Sequence, residues 1–222
     1  MAVHIEGQAI QGTRLVGSRQ TYTGTELVDS TLTACVLAQF DDSSFSLVVR
    51  NTRVQGCTVD RCQVQGVYFQ NVTVDGLNTK QLHRVYGCVL DRVTLRGRIG
   101  PVMVMPPHSA LADRDRHIAG MVEKYQEVPW ALDISEASFV DADFYGVPGD
   151  LVKYDPETQV LLRREKFEEI SIEDLPTYAG IWVSRFSETP FESLVAVAPK
   201  RSKRFPQYMH DLEWLHTQGL AG

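Results

Sequence analysis

The sequence lacks any long apolar run, since no stretch approaches about 18 consecutive apolar residues. A transmembrane helix is therefore not expected. The first residues also lack the basic stretch and apolar core of a secretory signal peptide. Together these absences predict a cytoplasmic protein that does not enter a membrane.

Recognised catalytic and cofactor motifs are missing as well. No His-Glu-x-x-His metal motif, glycine-rich phosphate loop or Cys/His catalytic signature appears. Glu136, Asp141, Asp143 and Asp150 are close in sequence, but Asp141 and Asp143 fall at outward positions of a repeat that favours Asp. We expect no catalytic residue, no cofactor and no metal. An enzyme with a site in the C-terminal segment stays an alternative.

Cysteine is scarce, and its four positions follow the repeat described below. Cys35, Cys57, Cys62 and Cys88 all fall on apolar positions of that repeat. A buried free thiol packs as a small hydrophobic group. We therefore expect four reduced core residues rather than disulfides or a metal site.

The net charge of −6 is unevenly distributed. Residues 1–100 contain 8 acidic and 10 basic residues, a balance of +2, whereas residues 101–222 contain 20 acidic and 12 basic residues, a balance of −8. Proteins that bind nucleic acid are usually basic. A nucleic-acid partner is therefore not expected.

Apolar residues recur at every fifth position between residues 22 and 82. Eleven of these thirteen positions are apolar or aromatic. Neither an α-helix nor an isolated strand gives this spacing. The series is Tyr22, Leu27, Leu32, Leu37, Asp42, Leu47, Thr52, Cys57, Cys62, Val67, Val72, Leu77 and Leu82.

A second apolar series lies two residues after the first in the middle of the repeat, and it includes Val64 and Phe69. Residues two apart on an extended chain share one face, so each unit of five turns two side chains inward. The pattern weakens near residues 48–53 and 83–87, where we expect bulges or loops.

Several units, such as Val72–Gly76 and Ala137–Asp141, resemble the pentapeptide repeat family. The resemblance covers about residues 20–100 and 132–146. It implies a right-handed quadrilateral β-helix in which four units form one coil. The fold class predicted is therefore mainly β, a pentapeptide-repeat solenoid with a C-terminal α/β capping segment.

The predicted domains are a β-helix over residues 1–147 and a small α/β segment over residues 148–222. Proline and glycine interrupt the repeat at Gly100-Pro101 and Pro106-Pro107. We interpret residues 101–131 as a helical excursion, with a helix at about 109–127. The C-terminal segment is predicted to contain strands at 160–163 and 193–198 and helices at 177–186 and 202–217.

The strongest local cluster of charge is Lys200, Arg201, Ser202, Lys203 and Arg204. It lies between a predicted strand and a predicted helix, and helix N-termini attract anions. The cluster predicts a contact for an anion or an acidic partner. The alternative is a solvated basic turn that balances an acidic segment.

A filled repeat fold offers surface rather than a ligand pocket, so we expect a non-enzymatic protein-binding module. A protein partner is expected, and a homodimer through the C-terminal segment is an alternative. The resemblance also implies an alternative, since some family members mimic duplex DNA and bind a type II topoisomerase. That alternative needs an acidic repeat region.

Overall fold

A computed structural model describes residues 3–222 of the chain. The three α-helices are α1 (Arg114–Tyr125), α2 (Thr177–Ser184) and α3 (Phe205–Thr217). The strands are β1 (Val3–Glu6), β2 (Ala9–Gln11), β3 (Arg14–Val16), β4 (Thr21–Thr23), β5 (Thr25–Val28), β6 (Thr31–Thr33), β7 (Val36–Ala38), β8 (Val48–Asp60), β9 (Gln63–Gln65), β10 (Tyr68–Thr79), β11 (His83–Tyr86), β12 (Val89–Ile99), β13 (Val102–Met105), β14 (Leu132–Asp133), β15 (Ala137–Phe139), β16 (Ala142–Asp143), β17 (Val152–Lys153), β18 (Gln159–Arg163) and β19 (Ser193–Val197). Short 3-10 helices cover Gly149–Leu151, Arg164–Phe167, Ile172–Asp174 and Arg185–Ser187.

Two parallel sheets contain most of the strands. The first has 11 strands and follows the order β1-β5-β8-β10-β12-β14-β17, with β2, β4, β6 and β15 paired beside this path. The second has six strands in the order β16-β13-β11-β9-β7-β3. A third sheet is the antiparallel pair β18–β19.

The predicted fold class, a mainly β quadrilateral β-helix with a cap, is wrong. The chain is 21% helical and 41% strand, and its large parallel sheets have helices interspersed, which indicates an α/β fold rather than a pure β-helix solenoid. The error has a physical origin. The repeat describes local spacing in part of the chain, whereas the class depends on all the helices and strands that pack together.

The five-residue spacing itself corresponds to a regular bend of the backbone. A left-handed residue recurs at every fifth position and lets long strands such as β8 and β10 turn. The central examples are Asn51, Gly56, Arg61, Gly66, Asn71 and Gly76, with φ between 51° and 72°. Between these bends the apolar side chains face inward, as Cys57, Val67 and Val72 are 5% exposed or less.

The loop that interrupts the repeat lies before residue 48 rather than at 48–53. Arg14 pairs with Val36, which is 22 residues later, whereas Val36 pairs with Gln63, which is 27 residues later. The second separation is longer by five residues, which is one repeat unit. The extra residues form a loop after β7 that is closed by the buried Gln39. Its side chain accepts a hydrogen bond from the Leu47 backbone N–H at 3.0 Å. The bulge or loop predicted near residues 48–53 is therefore wrong, since β8 starts there and pairs with β10 without a register shift.

The predicted slip near 83–87 is present just before that segment. Thr79 pairs with Val59, whereas Val85 pairs with Val64, so the separation of paired residues along the chain grows by one between the two pairs. One residue is therefore added between Thr79 and Val85, and residues 83–86 themselves form strand β11.

Helix α1 replaces the repeat between β13 and β14 and is shorter than the predicted 109–127. It begins after Asp113, whose φ of 55° is left-handed and stops the helix from extending further back. Tyr125 anchors its last turn, because its hydroxyl accepts a hydrogen bond from the Leu90 backbone N–H at 3.2 Å and donates one to the Cys88 carbonyl at 3.3 Å.

The C-terminal segment forms a second core, and its predicted elements are present with small shifts at their ends. Strands β18 and β19 and helices α2 and α3 surround buried side chains such as Leu162, Trp182 and Leu215. Phe191 and Val195 of the same segment instead join the core of the parallel sheets. The division at residue 147 stays a prediction.

All four cysteines are free thiols. Cys57 and Cys88 are fully buried, whereas Cys35 and Cys62 are partly exposed. Within residues 3–222, no helix combines the length and the apolar character needed to cross a membrane.

Candidate protein-interaction surface

Strands β1 to β4 form one end of the two parallel sheets, which we name the open end. Within residues 3–222, each of these strands pairs on one side only, with β5, β6, β7 and β8 respectively. In such an edge strand, alternate backbone N–H and C=O groups point away from the sheet. The open end therefore presents unpaired hydrogen-bonding groups.

Left-handed residues separate these four strands. Gly7, Gly12 and Arg19 have φ values of 62°, 65° and 57°. Bends at these positions place β1 to β4 on successive sides of the end, since a straight strand would keep extended backbone angles throughout. The unpaired edge therefore follows an angular outline rather than a single line.

Apolar side chains are accessible at the open end. Val3, Leu15 and Val16 are 49%, 37% and 41% exposed. Leu15 also lines a cavity of about 360 Å³ that has mainly apolar walls. Its lining includes Ile5, Ile10, Leu15, Tyr22, Leu27, Leu32 and Leu37. Accessible apolar surface next to an unpaired strand edge is typical of an interaction site.

Charges of both signs surround the open end. His4 lies 3.0 Å from a Glu26 carboxylate oxygen and 3.3 Å from one of Glu6. Hydrogen bonds to the carboxylates raise the pKa of His4 above its ordinary value, and the bond to Glu26 contributes more than the bond to Glu6. Arg14 and Arg19 are exposed nearby. The mixture of signs keeps this surface close to neutral.

The opposite end of the parallel sheets is covered by the C-terminal segment. The backbone N–H of Arg201 donates to the Phe139 carbonyl at 2.9 Å, and the Gln159 side chain donates to the Ile134 carbonyl at 3.3 Å. Phe139 and Phe144 are each 1% exposed. At this end, strand-edge carbonyls therefore accept hydrogen bonds from the C-terminal segment, and the apolar side chains are buried.

The predicted basic cluster contributes to this cover. Lys200 forms an ion pair with Asp155 at 2.8 Å. The Arg201 guanidinium donates to the carbonyls of Ile99 at 3.3 Å and Ser138 at 3.5 Å. Arg201 thus connects the segment to the parallel sheets, whereas the Lys200 ion pair is internal to the segment.

The other members of the cluster lie at the start of α3. The Ser202 hydroxyl accepts a hydrogen bond from the Arg204 backbone N–H at 3.2 Å. Lys203 and Arg204 are exposed. The structure does not bring all four cations to one point, and the predicted contact with an anion or acidic partner stays a prediction.

Asp143, which the sequence interpretation placed at an outward position, instead lies beneath this cover. Asp143 is only 16% exposed in its side chain and forms an ion pair with Arg185 at 2.8 Å. Burial raises the pKa of Asp143 to about 6, although Arg185 acts in the opposite direction. Arg185 comes 42 residues later in the chain. No spacing rule in the sequence connects the two.

Arg185 also orders the side chains around Asp143. Its guanidinium lies 4.7 Å from the centre of the Tyr145 ring and forms an ion pair with Glu188 at 2.9 Å. Burial raises the pKa of Tyr145, so its hydroxyl loses a proton less readily than usual. These contacts join β16 to the segment that covers it.

A cleft of about 420 Å³ runs along the outside of this junction. Tyr86, His108, Arg114, Tyr145 and Glu188 contribute polar groups to its walls. Internal contacts already use part of them, since His108 Nδ1 accepts the Ala110 backbone N–H at 3.1 Å and Arg114 Nε donates to the Pro107 carbonyl at 3.0 Å. Asp143 does not line the cleft. The titratable groups that do line it, His108 and Glu188, are engaged by Ala110 and Arg185.

In the part of the chain from residue 3 onward, no three His, Cys, Asp or Glu side chains are grouped so that they could hold a metal ion. No protein-family model matches the sequence, and neither curated proteins nor solved structures give a match. The resemblance to the pentapeptide repeat family therefore stays a prediction.

Proposed function

We propose that the protein is a non-enzymatic binding module that contacts its protein partner through the open end. The observation that carries this proposal is the one-sided pairing of β1 to β4 around accessible apolar side chains. Strand edges bind partners through main-chain hydrogen bonds, and apolar contacts add to the affinity. A cytoplasmic location is part of this proposal.

The junction cleft supports an enzymatic function less well. The buried carboxylate with the raised pKa, Asp143, is held by Arg185 and lies outside the cleft lining. Tyr145 lines the cleft but is held in its protonated form. A candidate catalytic base must reach the substrate and titrate near the working pH. Neither residue combines both properties, and the other two titratable side chains of the cleft, His108 and Glu188, already contact Ala110 and Arg185.

The DNA-mimic alternative also has weaker support than the open end. Residues 1–100 carry a balance of +2, and the acidic residues are concentrated in the later half. A surface that imitates DNA needs closely spaced negative charge. We therefore do not extend the proposal to a topoisomerase partner.

Site-specific photo-crosslinking in cells tests the proposed function. The crosslinking amino acid p-benzoylphenylalanine is placed at Val16 of the open end and, as a control, at Ile181 of α2. These residues are similar apolar side chains, 41% and 45% exposed. We expect protein adducts from position 16 and few from position 181. The proposal would be contradicted if position 16 gave no adducts, or if it gave no more adducts than position 181.

A further inference from the structure

The outline of the open end restricts what can cover it. The four edge strands are short, and bends at Gly7, Gly12 and Arg19 separate them. One extended peptide can pair with only one straight strand at a time. A partner that satisfies all four edges must present a matching angular outline.

A second copy of the chain presents such an outline. Two copies that meet end to end around a two-fold axis place the same four edges opposite each other, with the facing strands running antiparallel. About half of the residues in these edges direct their backbone groups outward, so such a contact offers roughly a dozen hydrogen bonds. Typical interfaces contain about 10.

Charge distribution is compatible with the same arrangement. The open end lies within residues 1–100, whose balance is +2, whereas the balance of −8 belongs to residues 101–222. End-to-end contact places the two acidic halves at opposite extremes of the assembly. Beyond a Debye length of about 8 Å, their repulsion is largely screened at physiological salt.

We propose that two copies of this chain associate end to end through β1 to β4, an inference that rests on the proposed function because it names the partner of the same surface. The contact pairs the strand edges and covers Val3, Leu15 and Val16. The dimer expected from the sequence used the C-terminal segment instead. That segment is already packed on the opposite end of the sheets.

The surface is small, and this limits the strength of association. Each edge strand has three or four residues and spans about 10 to 13 Å at 3.3 Å per residue. The end therefore covers less area than the roughly 800 Å² per partner of a standard interface. We expect a dimer that dissociates on dilution.

Sedimentation velocity of the purified full-length chain, from about 1 to about 200 µM, tests the inference, since small interfaces associate in this range. The expected result is a shift from monomer to dimer as concentration rises. The substitutions Leu15→Glu and Val16→Lys place charges in the contact and should weaken association at least tenfold. Circular dichroism and urea unfolding check that each variant is folded.

The substitution Ile181→Glu is the matched control, because it adds a charge at a similarly exposed apolar residue of the covered end. It should leave the dimer intact. A chain that stays monomeric up to the highest concentration overturns the inference. So does a dimer that Ile181→Glu disrupts while Leu15→Glu and Val16→Lys leave it intact.

The crosslinking experiment separates this inference from the proposed function. An adduct at position 16 with twice the mass of the chain supports both. An adduct of a different mass, together with a monomeric purified chain, supports the binding function and overturns the second copy as partner. Absence of any adduct at position 16 contradicts the binding function itself.

Discussion

The two ends of the parallel sheets are made from similar repeat units but have opposite surroundings. At the open end, Leu15 is 37% exposed and β1 to β4 pair on one side only. At the covered end, Phe139 and Phe144 are each 1% exposed, and Arg201 closes part of the strand edge. The difference shows that a repeat leaves its last layer incomplete until another segment covers it.

The C-terminal cover works through contacts of several kinds. Apolar side chains such as Phe191 enter the main core, and Arg201 pairs with carbonyls of the last strands. The buried Asp143–Arg185 pair adds a charged contact. At the open end, a second copy of the chain would play the corresponding part by pairing with the free strand edges and burying the exposed apolar side chains. Three substitution pairs test the comparison within the monomer.

The largest expected effect is on core packing at the covered end. Phe144→Ala removes a fully buried ring and should lower the free energy of unfolding by about 3–5 kcal/mol. Leu15→Ala at the open end should lower it by about 1 kcal/mol or less, because the side chain is already partly solvated. Urea unfolding at low protein concentration measures both. Equal losses would show that the two ends are packed alike.

The second effect concerns the pH dependence of stability. The raised pKa of Asp143, about 6, means that the folded state holds this proton more tightly than the unfolded state, where the pKa is about 3.8. Its contribution to stability is therefore full below about pH 4 and is lost as the pH rises to about 6. The loss should be on the order of 3 kcal/mol, since one pKa unit corresponds to about 1.4 kcal/mol.

Asp143→Asn should remove this part of the pH dependence, as measured by urea unfolding from pH 4 to pH 7. The control is Glu136→Gln, which neutralises an exposed carboxylate of the same region, because the charge of Asp141 itself helps to raise the pKa of Asp143. Subtracting the free energies of unfolding of the two variants at each pH removes the contribution of other titrating groups. One such group is Asp42, whose pKa is lowered rather than raised by folding. A decline that persists in Asp143→Asn would show that another group is responsible.

The smallest effect compares two bends with the same backbone conformation. Gly12 in the open layer and Gly66 in the interior have φ values of 65° and 68°. Alanine at either position should cost about 1–2 kcal/mol for the left-handed backbone. A Cβ at Gly66 would also lie 2.7 Å from the Gln39 carbonyl oxygen, whereas at Gly12 it would meet nothing within 4 Å.

Gly66→Ala should therefore destabilise the chain by about 1–2 kcal/mol more than Gly12→Ala, because the Gln39 backbone closes a loop and cannot shift freely. Thermal unfolding followed by circular dichroism compares the two. A larger loss for Gly12→Ala would mean that the open layer is as tightly packed as the interior.

The sequence predicted most local features correctly. The five-residue spacing identified inward residues such as Cys57 and Val67, and the apolar spacing of the C-terminal segment identified α2, α3, β18 and β19. These features depend on neighbouring residues, which the sequence displays directly. Boundaries were less accurate, as α1 begins five residues later than expected.

The candidate site was harder to predict from the sequence. Any stack of repeat strands leaves an edge at each end, and the sequence does not show which of the two stays free. The C-terminal segment covers one end through pairs such as Asp143–Arg185, which are 42 residues apart. Pairings over such distances leave no local pattern.

By itself, the sequence determined the five-residue spacing of the inward side chains, and the helices and strands of the last third. The tertiary structure alone decided the α/β class, the burial of Asp143 beside Arg185, and the contrast between the covered and the open end. The physical reason is that spacing is set between neighbours along the chain. Burial and strand pairing are set by contacts between segments that are far apart along the chain.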